Sequence, residues 1–154
     1  MKIYQLYRQQ YLSLSVQEAW NFLSSPYHLN DITPDFFHVT INSKVPEKIY
    51  SGLMLSYQMK AVFGIPMSWL SEISHCDEPK RFIYEQRIGP FKFWSHEVCL
   101  TETQNGLMLE DIMCYAMPLG WLGQCLNTVL IASKLDRIFD TRRDYLNSRW
   151  GQVL

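Results

Sequence analysis

The feature that most limits what this chain can fold into is a succession of strand-like runs between residues 53 and 117, separated only by short turns. "LMLSYQMKAVFG" leads into "IPMSWLSEISHC", which turns at "DEPK" around Pro79 into "RFIYEQRIGP". "FKFWSHEVCLTE" and "GLMLEDIMCYAM" follow, joined at "TQNG". Asn105-Gly106 is a hairpin signal, because these residue types accept the backbone angles that tight turns demand. The flanks complete the order. "IYQLYRQQYLSL" at residues 3–14 alternates as a strand, and Ser15 with Glu18 three residues later forms a capping box that should start a helix. Ala19, Trp20, Phe22 and Leu23 give that helix an apolar stripe, and Pro26 stops it. "YHLNDITPDFF" allows one more helical turn before Pro34, and "HVTIN" is strand-like.

After Pro118 and Gly120, residues 121–150 contain no proline. Leu122, Leu126, Val129, Leu130, Leu135, Ile138, Phe139 and Leu146 recur there at roughly helical spacing, which predicts one long amphipathic C-terminal helix with a polar outer face. Arg142 and Arg143 are expected on that solvated face. Strands grouped together with helices at one side predict an α+β fold rather than alternating βαβ units. With no repeat, linker or low-complexity tract, residues 1–154 are expected to form a single domain.

Charge disfavours several functions. The net charge is −1 with no basic run, which disfavours nucleic-acid binding and electrostatic capture by anionic membranes. Cys76, Cys99, Cys114 and Cys125 form no CxxC pair, so a reduced, cytoplasmic protein is expected. "MKIYQLYRQQ" lacks a signal-peptide core, and no apolar run approaches the ~20 residues of a membrane span, so no stable membrane insertion is expected. Aromatic residues make up 14% of the chain, enough either to pack a curved sheet against a helix or to line a cavity.

Several motifs carry a family resemblance. "GIPMSWLSEI" fits a G-x-P-x-x-W-x-S/T-x-I pattern through Gly64, Pro66, Trp69 and Ile73. "FIYEQRIGPFKFWSHEVCL" fits F-x-x-x-Q-x-x-G-P-F-x-x-W-x-H-x-H-x-F through Phe82, Gln86, Gly89, Pro90, Phe91, Trp94 and His96, with Val98 in place of the second histidine and Leu100 in place of the final phenylalanine. "DIMCYAMPLG" supplies Asp111, Tyr115, Pro118 and Gly120, and "IFDTRRDYL" matches the tail of the last helix. On these residues the chain resembles the START-like, or Bet v 1-like (SRPBCC), superfamily. Within it, the chain is similar to a bacterial ligand-binding subgroup that also occurs fused to epimerase-like proteins. The resemblance implies a helix-grip fold: a curved antiparallel sheet of six to seven strands around a long C-terminal helix, with short helices after the first strand. It implies binding of a hydrophobic or amphipathic small molecule (a lipid, isoprenoid or polyketide-like compound) between sheet and helix, with no cofactor. An epimerase-like protein partner is also implied as possible. Some relatives are cyclases, dehydratases or hydrolases using a pocket His, Asp or Tyr, and a pocketless interaction domain is a third implication.

Alternation sorts the site candidates. Residues two apart in a strand share a face, so Trp69, Ser71 and Ile73 lie together, as do Phe82, Tyr84 and Gln86. Trp94, His96, Val98 and Leu100 form a third set, and Leu109, Asp111, Met113, Tyr115 and Met117 a fourth. If all four point to the concave side, Trp69, Tyr84, Gln86, Trp94, His96, Asp111, Met113 and Tyr115 are the candidate ligand-binding residues. His96 is either a pocket donor and acid or base, or a core histidine satisfied by Gln86 or Asp111. Asp111 either orients His96 or caps backbone amides. Trp69 and Trp94 either pack the sheet on the last helix or wall a cavity. Only His96 and Asp111 can be nominated as metal ligands, fewer than a protein site needs, so no metal is expected. His28, His38 and His75 are expected at the surface.

Overall fold

The computed structural model describes residues 1–60 and 64–152. Seven strands form one antiparallel sheet: β1 (Tyr4–Leu12), β2 (Thr40–Ile41), β3 (Met54–Lys60), β4 (Pro66–Asp77), β5 (Arg81–Ile88), β6 (Phe93–Thr103) and β7 (Gly106–Ala116). Their spatial order is β1-β7-β6-β5-β4-β3-β2, so β3 to β7 run as a meander and β1 closes on β7. The predicted strand at residues 53–64 is β3. Its expected end at residues 61–63 lies outside the described residues. "HVTIN" contributes only the two residues of β2.

Local chemistry sets the connections. Ser15 caps α1 (Val16–Leu23): its hydroxyl accepts the Glu18 amide and its own amide donates to the Glu18 carboxylate, the predicted box. Two 3₁₀ turns follow, Pro26–His28 and Asp35–Phe37. The β6–β7 hairpin closes where Thr103 pairs with Gly106. Gly106 takes φ 139°, and a Cβ there would sit 2.1 Å from the Leu12 carbonyl oxygen of β1. Glycine therefore serves a close strand approach there as well as the turn.

The C-terminal helix spans 31 residues. It comprises α2 (Gly120–Leu126), a π-helical turn (Asn127–Ile131) and α3 (Ala132–Trp150). The π turn corrects the apolar stripe read from the sequence. Leu122, Leu126 and Val129 are exposed, and the buried line is Gly123, Asn127, Ile131, Leu135, Phe139, Arg142 and Leu146. Its early steps are four residues long, wider than the 3.6 of an α-helix, and one turn of i→i+5 bonding supplies the missing rotation. Arg142, expected in solvent, is buried at 7% exposure. Arg143 does lie outside, paired with Asp140 and Asp144. Two apolar clusters hold sheet to helix. One gathers Leu12, Trp20, Phe82, Leu107, Leu109 and Leu146, and the other Met113, Tyr115, Ile131, Leu135 and Phe139. Phe91 and Trp94 pack against both.

Candidate functional site

The space between these clusters is not filled. Alternation turns Leu55, Tyr57 and Met59 of β3 and Trp69, Ser71 and Ile73 of β4 inward. Against them, Ile138, Phe139 and Arg142 come down from α3. Two adjoining chambers result. The smaller, about 140 Å³, is apolar apart from a cluster of Tyr57, Ser71, Tyr84, His96 and Arg142 and a few hydroxyls near Ser24 and Thr33. The larger, about 290 Å³, is lined by Phe36, Met67, Phe91, Met117, Leu130 and Leu135, with Lys134 as its charged lining residue among those described. Phe37, Met59, Trp69, Trp94 and Ile138 line both chambers. The larger chamber alone approaches the roughly 300–1,000 Å³ of typical small-molecule sites.

A chain of polar groups runs through the wall of the smaller chamber. Arg142 donates from Nε to Asp111 Oδ2 and from Nη2 to Oδ1, both at 3.0 Å. Asp111 Oδ1 also meets His96 Nε2 at 2.9 Å, and His96 Nδ1 hydrogen-bonds the Tyr84 hydroxyl. His96 and Asp111 are each 3% exposed, so every charge here must be matched inside the protein. Burial pushes the Asp111 carboxyl up, but the Arg142 charge and the His96 hydrogen bond override it and hold the group down at about 2. Burial pushes His96 down, only partly offset by Asp111, so the ring is neutral at pH 7. Burial raises Tyr84 and keeps it a phenol. An ionised Asp111 requires a proton on His96 Nε2. The neutral ring therefore accepts at Nδ1, and Tyr84 donates to it.

The eight residues expected at the site divide evenly. Trp69, Tyr84, Trp94 and His96 line the chambers. Asp111 sits behind His96 as its hydrogen-bond partner. Gln86 has a different task from orienting a ligand: its amide donates to the Phe91 carbonyl at 2.7 Å and accepts the Phe91 amide at 3.2 Å, clamping the Gly89-Pro90 turn. Met113 is wholly enclosed in the second cluster. The Tyr115 hydroxyl donates to Asn127 Oδ1 at 2.8 Å, inside the same packing layer. His38 and His75 are exposed, and half-buried His28 stacks on Phe22 and pairs with Asp31. Two chamber-lining residues escaped the sequence reading. Arg142 was placed on the wrong helix face. Tyr57 was not singled out, although its place between Leu55 and Met59 in an alternating strand signals the inward face.

Among the described residues no group of three or more His, Cys, Asp or Glu could hold a metal ion. None of the described helices is long and apolar enough to cross a membrane. No protein-family model matches the chain, and no curated protein matches it. Solved structures do. The ginseng major latex-like protein 151 of Panax ginseng superposes with a TM-score of 0.67 at 14% identity, over 95% of this chain and 96% of that one. Protein CV1439 of Chromobacterium violaceum gives 0.69 at 12% identity, over 99% and 100%. The fold is the helix-grip fold.

The di-domain ARO/CYC StfQ of the steffimycin biosynthetic pathway shares this helix-grip architecture, with a TM-score of 0.64 at 13% identity. The match covers 96% of this chain and 52% of StfQ, about half of the longer protein. The chambers lie where the concave sheet faces the C-terminal helix. The charged chain from Arg142 to Tyr84 is built by this sequence.

Proposed function

We propose that the chain acts as one ligand-binding domain that takes a hydrophobic or amphipathic small molecule between sheet and C-terminal helix. The observation that carries this reading is the pair of adjoining apolar chambers with one fixed polar cluster in the wall of the smaller. An apolar cavity with few convergent polar groups is the usual form of a small-molecule site. The lipid, isoprenoid or polyketide-like class of the ligand rests on the family resemblance, as do a cytoplasmic location and an epimerase-like partner. Native mass spectrometry of protein purified without denaturant, with solvent extraction of the same sample, tests the reading. A mass excess released on unfolding is the expected result. A protein that carries none, and takes up no apolar probe at millimolar concentration, refutes it.

A second reading is enzymatic, and the Tyr84–His96–Asp111–Arg142 chain favours it. Both nitrogens of His96 are engaged, so any proton passing between ligand and imidazole would travel through the Tyr84 hydroxyl. Under this reading His96→Ala abolishes turnover of a bound compound while leaving it bound. Unchanged turnover excludes it.

A further inference from the structure

The donors and acceptors of the smaller chamber define which ligand end they match. Tyr84 spends its proton on His96 Nδ1, so its oxygen offers the chamber lone pairs only. Tyr57 is the opposite case. It is 7% exposed and lines the same chamber, and its hydroxyl forms no hydrogen bond to any described residue. It therefore has a proton to give. The two phenols come from β3 and β5, the strands on either side of β4. Both side chains line the smaller chamber.

Resting on the ligand-binding reading above, we propose that the smaller chamber recognises a hydroxyl group on an apolar body, an alcohol or a phenol, which donates to Tyr84 Oη and accepts from the Tyr57 O–H. A hydroxyl is the simplest group that does both. A ketone or ether satisfies Tyr57 but leaves the Tyr84 lone pairs facing an atom with no proton. A carboxylate would bring a second anion beside Asp111, whose charge Arg142 already balances.

Three probes of one shape separate the possibilities: naphthalene, 2-naphthol and 2-methoxynaphthalene, each titrated calorimetrically into the intact protein. The expected order puts 2-naphthol roughly tenfold tighter than 2-methoxynaphthalene, although the ether is the more hydrophobic of the two. Tyr57→Phe is expected to weaken 2-naphthol about fivefold or more and to leave naphthalene unchanged, a contrast that a merely loosened core would not produce. The ¹⁵N shifts of His96 give a measurement that needs no variant: the Nε2–H tautomer is expected. If the three probes bind alike, or His96 carries its proton on Nδ1, the hydroxyl proposal is overturned while the apolar-site reading stands. If none of the three binds, both fall.

Discussion

Replacing Arg142 with methionine would remove the group that keeps Asp111 ionised inside the protein. The side chains of Arg142 and Asp111 are 8% and 5% exposed, so the abandoned carboxylate could not be rescued by water. Breaking a buried pair from one side costs about 3–5 kcal/mol. For a chain of this size that lowers the melting temperature by roughly 6–20 °C. The pH dependence is more diagnostic than the loss. Asp111 titrates at about 2 in the folded protein against an ordinary 3.8, a depression of about 2 kcal/mol in favour of the fold. That contribution is complete above about pH 4 and is lost as pH falls towards 2. Without Arg142, only His96 would oppose burial, so the Asp111 carboxyl would rise from about 2 and the variant would lose less stability in acid than the wild type. Urea unfolding of both proteins at pH 7 and pH 4 should show a large gap at neutrality that narrows in acid. The double variant with Asp111→Asn should recover part of the loss. A single variant within about 0.5 kcal/mol of wild type, or a gap independent of pH, would refute the reasoning.

Other perturbations probe the scaffold. Gln86→Ala should release the Phe91 backbone, costing about 1–3 kcal/mol and speeding hydrogen exchange at the Phe91 amide, with Trp94 repacked beside it. Gly106→Ala should cost more than a typical turn substitution, at least about 2 kcal/mol by urea titration, because its methyl group would meet the Leu12 backbone. Leu119 is 71% exposed at φ 63°, so Leu119→Gly should raise stability by about 0.5–1 kcal/mol despite the loss of an apolar side chain. An unchanged or lower urea midpoint would count against strain at that residue.

What the sequence disclosed was local in origin. The Ser15–Glu18 box, the turn at Pro79 and the Asn105-Gly106 hairpin each depend on neighbours within a few residues. The inward faces of β4, β6 and β7 followed from a period of two. The helix face was not legible in the same way, because the π turn shifts the phase partway along and the buried line includes a glycine, an asparagine and an arginine. Hydrophobic periodicity cannot single out Arg142, whose reason to be inside is Asp111, 31 positions earlier. Gln86 shows the converse. Its face was read correctly, yet what its amide binds depends on where the chain turns at Gly89.

The wall common to the two chambers has a practical consequence. Trp69 and Trp94 meet edge to face at 5.2 Å and border both spaces, whereas Trp20 is enclosed in the core and Trp121 stands in solvent. A molecule entering either side must change the surroundings of the same two indoles. Under the ligand-binding proposal, these two indoles are a built-in optical reporter of occupancy. Its emission spectrum can be followed without a dye, and Trp69→Phe and Trp94→Phe would divide the signal between the two indoles.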